Sequence, residues 1–415
     1  MTDQDRVVRI LRTMPDEPPA PSTIDVPRTM AEGRRRRRAR RWSGGVALAA
    51  VTAVAAGGGT VAVAAMRDTP APPPRPAPSV TTAATTAAAA PAPPVPRDCK
   101  VALLPSGGIK KALVTSGDPS GHYLAGRVYP GDGARTVLWK DGVLQSRPAM
   151  PGADATWEDI NSAGVAVGSS FPSGDEQQAY VSTGATVTPL RGGPSVASAI
   201  NEKGLIAGVL GSPYEGGLPV VWSSPQASPA RLALPAGYAY GEANAIDEDG
   251  TVVGLVVRGN QKRMSDGTGY LWRPDGTGRL MPLPTVDGEK ASFFWPESVS
   301  AGWVYGRAGH DSADGSTRSF ASYRYDIARN RYEALPAPLG PPAIGAGNGW
   351  VLGTTGAYDP VLISGKKVVK LPRYKTMKEY VVSALSADGK VAAGYTTDTD
   401  EKEGVANRPV VWTCR

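Results

Sequence analysis

The chain of 415 residues contains two histidines, two cysteines and four phenylalanines, and each scarcity removes a class of function. With only His122 and His310 available, no HExxH helix or histidine-rich metal centre can be assembled, and no GxSxG, CxxC or phosphate-cradling glycine loop occurs. A Ser-His-Asp site would have to recruit one of these two histidines, and both stand in turn or loop contexts that read as surface positions. The segment DTDEKEG, 398 to 404, sets Asp398 and Asp400 at a calcium-like spacing. Lys402 then occupies a ligand position and no Glu follows at the twelfth, so the segment reads as a charged hairpin tip. No metal, cofactor or catalytic residue is expected.

Long helices are equally disfavoured. Fifty Gly and 39 Pro are costly inside helices and suit short strands joined by many turns, so an all-β fold is expected. The net charge of +7 suggests nucleic acid until it is divided along the chain. Residues 1 to 43 hold 11 Arg against 6 acids, whereas the residues from Asp98 onward carry 31 basic and 31 acidic side chains. The large domain is neutral, and phosphate-driven binding loses its support.

The basic excess precedes an apolar span. RRRRRARRW, 34 to 42, runs into residues 43 to 66, which carry no charged side chain. As a helix this span would be about 36 Å long, enough for a hydrocarbon core of about 30 Å. The arginine cluster would keep residues 1 to 42 in the cytoplasm as a basic tail, placing the remainder outside the plasma membrane in a single-pass arrangement. Two competing readings are a cleaved signal peptide, with small residues at Ala62, Ala64 and Ala65, and a twin-arginine export signal. Residues 67 to 97 hold ten Pro among Ala, Thr and Val, a composition that cannot bury a core and reads as an extended stalk. The tail itself offers one short amphipathic turn before Pro15, and a cytoplasmic partner for it is unknown.

Residues 98 to 415 are organised by a repeat. DPSGHYLAG (118 to 126), NSAGVAVG (161 to 168), NEKGLIAG (201 to 208), DEDGTVVG (247 to 254), VSAGWVYG (299 to 306), AGNGWVLG (346 to 353) and SADGKVAAG (386 to 394) share a turn glycine and a second glycine after a short apolar run. The second glycines recur every 40 to 52 residues, the period of propeller blades. Asp118, Asn161, Asn201, Asp247 and Ser386 can bond the backbone two residues on, and the next Gly accepts the left-handed conformation that ends such a turn, so each copy predicts a hairpin. A third apolar strand follows in each unit, for example PVVW at 219 to 222, and a fourth ends in Leu-Pro or Met-Pro, as at Leu371-Pro372. One blade cannot bury both of its faces, so seven copies predict a seven-bladed β-propeller. Trp139, Trp222, Trp272 and Trp412 then read as packing between blades.

The repeated hairpin and its following strand resemble the extracellular HAF-type repeat family over residues 99 to 415. The tripeptide station of that family is held here by Ala179-Tyr180-Val181 or Gly269-Tyr270-Leu271. The resemblance implies an extracytoplasmic, β-propeller-like module without a common chemistry.

The last copy stops at VVWTCR without a fourth strand, while the domain opens on CKVALLP, whose Leu104-Pro105 matches the usual fourth-strand ending. The N-terminal strand is therefore expected to close the ring in the last blade and to bring Cys99 beside Cys414 as a disulfide. Four units pair an aromatic with a carboxylate just before the innermost strand: Trp157 with Glu158, Tyr240 with Glu242, Trp295 with Glu297, and Tyr380 with Glu379. Aromatic faces and carboxylates together suit sugar hydroxyls or positive charge, so these residues form the candidate ligand-binding mouth. With Lys110, Lys111 and Arg191 nearby, the rim is mixed in sign and a polyanion is a poor ligand. The expected role is membrane-anchored binding or scaffolding for a cell-envelope glycan or protein partner. A carboxylate-dependent polysaccharide hydrolase or lyase, and a sensor coupled to a cytoplasmic partner, are the alternatives.

Overall fold

A computed structural model describes residues 96 to 415, apart from 132, 146–148, 185, 213–215, 260–265, 312–317 and 398–406. The tail, the apolar span 43–66, the stalk up to residue 95 and the acidic segment from 398 lie outside the described residues.

Every described regular element is a strand, and seven four-stranded antiparallel sheets form the blades of a β-propeller. The innermost strands are Ala112–Gly117, Ala153–Ile160, Ser195–Ile200, Tyr238–Ile246, Phe293–Ser300, Gly340–Gly345 and Tyr380–Leu385. Each is followed by the hairpin of one repeat copy. The seventh sheet takes its outer strand from Lys100–Leu103, antiparallel to Pro409–Thr413, with Lys100 opposite Thr413. Cys99 and Cys414 flank this pairing and are joined by a disulfide across 315 residues of sequence. A small extra hairpin, Thr285–Val286 with Glu289–Lys290, sits between the fourth and fifth blades.

The turn chemistry of the repeat is visible in full. Asn201 Oδ1 accepts from the amides of Lys203 and Leu205, Gly204 N donates to Asn201 O, and Gly204 takes φ +80°. These turn residues are also buried, and they stitch neighbouring blades. Asn161 Nδ2 donates to Asn201 O at 3.2 Å, Asn201 Nδ2 donates to Asp247 O at 3.1 Å, and Asp247 Oδ2 accepts from Gly302 N at 2.8 Å. A buried amide side chain with its donors unmet would cost about 1–3 kcal/mol, which explains why the short polar residue recurs.

The four tryptophans on the third strands are buried between blades. Their indole N–H groups donate to the chain arriving from the preceding blade, at Pro105 O, Arg191 O, Ala233 O and Pro372 O. The Leu-Pro station lies just past the outer strand, where the amides of Leu335 and Leu371 continue the pairing. In the fourth blade this station is the buried Met281, two residues before Leu283.

The second glycine of each repeat has a steric origin. A Cβ on Gly126, Gly168, Gly208, Gly254, Gly306 or Gly394 would lie about 2 Å from a carbonyl oxygen of the innermost strand, 2.1 Å from Val196 O in the case of Gly208. The innermost strand bulges opposite these glycines, skipping Thr115, Glu158, Ser198, Asn244, Glu297 and Ser383 in the pairing. In the sixth blade Gly353 faces a longer irregularity between Gly340 and Ile344. A bulge leaves one residue unpaired and re-aims its side chain.

Two expectations follow. Gly208→Ala should destabilise the domain by about 1–3 kcal/mol through overpacking, while Gly131→Ala, which meets no atom within 4 Å, should be near neutral in the same urea titration. Replacing Cys99 and Cys414 together by Ser should lower stability by about 2–4 kcal/mol without changing the far-ultraviolet spectrum.

Candidate functional site

The bulged residues sit three positions ahead of the turn residue of each repeat, as in Glu158 and Asn161 or Ser198 and Asn201. They converge on one cavity of about 550 Å³ bounded by the innermost strands of all seven blades. Thr115, Glu158, Ser198, Asn244, Glu297 and Ser383 line it, together with the strand ends and turns that follow them. In the sixth blade Pro342 takes this place, and it is apolar. The cavity therefore lies at the hairpin end of the innermost strands, whereas the sequence expectation placed a mouth at their beginnings.

The carboxylates of this channel differ in how they are held. Asp159 is tied across three blades: Oδ1 accepts from Ser116 Oγ and Ile160 N, each at 2.9 Å, and Oδ2 accepts from Ile200 N at 2.8 Å. Burial outweighs these bonds and pushes its pKa from 3.8 up to about 6. Glu297 pairs with the Arg307 guanidinium at 2.5 Å and accepts from Ala343 N at 2.9 Å. Glu158 is exposed to solvent from the channel, and the protein crowded around that opening raises its pKa, with Arg127 opposing and Asp154 adding to the rise. Glu242, two residues ahead of the bulged Asn244, is raised by burial and eased by a hydrogen bond with that Asn.

The eight residues singled out in the sequence are thus divided. Glu158 and Glu297 share the channel at equivalent bulge positions, and Glu242 stands two residues earlier on its own strand. Glu379 lies exposed ahead of its strand, where its backbone carbonyl accepts from Thr397 N. None of the four aromatic rings lines the cavity. Trp157, 2% exposed, packs with Leu138, Met150 and Tyr180. Tyr380, fully buried, meets Trp412 edge-on and donates its hydroxyl to Met377 O. Tyr240 lies against Gly216 of the preceding blade, and Trp295 stacks with Phe293 beneath Arg318. Packing within and between blades buries the rings of Trp157 and Tyr380 and half-buries those of Tyr240 and Trp295. Lys110, Lys111 and Arg191 are exposed outside the cavity, with Lys111 over the Tyr129 ring.

Sequence reasoning missed Thr115, Asp159, Ser198, Asn244 and Ser383. The constant three-residue offset from the turn could have found all but Asp159, which follows its bulge by one. The two histidines are peripheral: His122 Nδ1 meets the exposed Asp141, whose hydrogen bond raises the imidazole pKa, and His310 Nε2 contacts Val286 O. Among the described residues no group of three His, Cys, Asp or Glu is placed to hold a metal ion.

No family model and no curated protein matches the chain. Among solved structures, the chain is similar to the β-propeller domain of the Trilobed protease from Pyrococcus furiosus, with a TM-score of 0.51 at 12% identity over 73% of this chain and 96% of that one. It also matches a virginiamycin B lyase from Staphylococcus aureus, at TM-score 0.47 and 12% identity, over 76% and 99% of the two chains. YCF48, solved with a D1 peptide, matches at 0.47 and 11% over 78% and 97%. At these identities the likeness concerns the fold alone: the chain contains a seven-bladed β-propeller.

The raised pKa of Asp159 has a signed consequence. Between about 3.8 and 6 the folded form holds a proton that the unfolded form has released, so this group's contribution to stability falls as pH rises through that window. The stability of the native chain relative to Asp159→Asn should therefore decrease from pH 4 to pH 7 in denaturant titrations. A difference independent of pH would place the carboxyl at its ordinary pKa.

Proposed function

We propose that this chain is a binding or scaffolding module held outside the plasma membrane, with residues 43–66 as a single-pass anchor, residues 1–42 in the cytoplasm and residues 67–97 as a stalk. Its ligand is a cell-envelope glycan or protein, and its site is the channel. The observation that carries this reading is the convergence of six polar bulged side chains from six blades on one cavity. A bulge interrupts pairing, and six at one level aim hydrogen-bonding groups where the fold itself does not need them all. The Cys99–Cys414 disulfide supports an oxidising compartment. The HAF-type resemblance supports the same location and rests on the repeated hairpin.

A second reading, a carboxylate-dependent polysaccharide hydrolase or lyase, draws on Glu158 and Asp159, adjacent carboxyls with raised pKa values in the same cavity. The two readings separate in one series of measurements. Protease added outside sealed native cells should remove the propeller, and carbonate washing should leave the tail in the membrane fraction. Glycans and envelope proteins retained by the purified chain should be recovered intact under the first reading and cleaved under the second. Cytosolic protection of the propeller would overturn the proposed location.

A further inference from the structure

The balance of charge over the large domain hides a local excess at one end of the ring. In the seventh blade Leu385, Val391, Thr413 and Lys100 stand at the end of the sheet that carries the repeat hairpin. Just beyond them Cys414 N donates to Lys390 O, and Arg97 and Arg415 exchange backbone hydrogen bonds at 2.8 and 2.9 Å. The sixth blade brings Lys366 and Lys367 to the same end, beside Ser364, which pairs with Trp350. The Trp350 ring in turn lies against Gly389 of the seventh blade. Arg97, Lys100, Lys366, Lys367, Lys390 and Arg415 therefore gather at one end of two adjoining blades, and all are exposed. Among the described residues this end of the two blades carries only Asp98 and Asp388 as acids, and Asp388 is within 3.7 Å of Lys390. The flanking blades do not cancel the excess, since Asp141 is met by His122 beside Lys140, and Asp326 and Glu333 are paired with Arg329 and Arg331. Glu202, Glu248 and Asp249, with Lys203 among them, lie across the ring on the third and fourth blades.

Lysines on an outer strand can serve to guard a sheet edge, but Lys366, Lys390, Arg97 and Arg415 stand outside the strands and have no edge to guard. The point at which the chain enters gives them another use. The segment arriving from residue 95 joins the ring at Pro96 and Arg97, among these cations. With residues 43–66 as the anchor, this end of the ring is the one tied to the bilayer. A tether of the length of 67–97 keeps the patch within reach of the lipid surface without forcing contact. Basic groups beside a membrane tether are drawn to anionic headgroups, an attraction that grows with each Lys or Arg and fades within a Debye length. Val368, 39% exposed and next to Lys367, adds an apolar side chain at the rim of the patch.

We infer that the hairpin end of the sixth and seventh blades docks on a membrane surface of anionic phospholipid. This rests on the reading of residues 43–66 as an anchor and specifies how the ring is held against the bilayer. The segments that enter the innermost strands, at the opposite end, are then turned away from the lipid.

The full chain would be reconstituted in nanodiscs of phosphatidylcholine alone and of equal parts phosphatidylcholine and phosphatidylglycerol. A dye would be carried on Ala387→Cys, exposed at the hairpin end, or on Glu289→Cys, exposed at the opposite end. Lipids with a nitroxide on the headgroup quench a dye only at short range. The dye at 387 should be quenched in the anionic discs and not in the neutral ones, quenching should fade at high salt, and the dye at 289 should stay bright throughout. Lys100→Glu, Lys366→Glu and Lys367→Glu together should reduce the ratio of docked to free chain by about tenfold or more. Lys110→Glu, Arg231→Glu and Lys290→Glu, an equal change of charge at exposed positions away from the patch, should leave it as in the native chain. The inference is overturned if 387 is quenched no more in anionic than in neutral discs, if quenching survives high salt, or if both triple variants lose it alike while keeping the native thermal transition. A soluble polyphosphate that shifts the dye emission where anionic lipid does not quench it would assign the patch to a free polyanion and overturn the lipid surface. A chain that does not stay with the neutral discs overturns the anchor and this inference with it, whereas one that stays and shows no quenching overturns the docking alone.

Discussion

The contact on which this molecule depends is the approach of an innermost-strand carbonyl to the second glycine of the repeat. At about 2 Å from where a Cβ would stand, this approach admits only glycine. The bulge beside it bends the innermost strand and turns one side chain toward the ring axis. Sequence periodicity, blade geometry and the composition of the channel wall therefore follow from one steric fact repeated in every unit but the sixth, where Gly353 faces the Leu339 side chain. The buried turn residues add to it: Asn161, Asn201 and Asp247 close their own hairpins and bind the next blade, so each repeat is structurally incomplete without its neighbour.

Charge is distributed according to the same plan. The large domain is balanced overall, yet among the described residues no cation lines the channel. Lys111 and Arg191 lie on the outer surface and Arg307 is consumed by Glu297, while the channel wall is left with carboxylates and small polar groups. The burial that raises the pKa of Asp159 also strengthens any attraction between that carboxyl and an entering charge.

Much of the fold was legible in the sequence. The polar-x-x-Gly turns, the 40- to 52-residue spacing and the four tryptophans each have one dominant physical cause, and the blades and the Cys99–Cys414 bond follow the expected pattern. The site was less legible for a reason that Trp157 and Tyr380 illustrate. Aromatic residues beside carboxylates resemble a sugar platform in sequence, but a strand alternates its faces, and a bulge shifts that alternation by one residue. Trp157 therefore turns into the core while Glu158 turns into the channel. Short Ser, Thr and Asn side chains carry no sequence signal of their own, and Ser198 or Ser383 becomes noticeable only once the offset from the turn is known.

The bulged positions face an open channel walled by carboxylates and small polar groups. Labelling of Ser198→Cys by methanethiosulfonate reagents of opposite charge measures this directly, with Ala197→Cys, one residue earlier and buried, as the comparison. The account predicts that the thiol at 198 reacts, and reacts faster with the aminoethyl than with the sulfonatoethyl reagent, while the thiol at 197 is protected. Equal rates for the two reagents at 198, or labelling at 197 as fast as at 198, would contradict it.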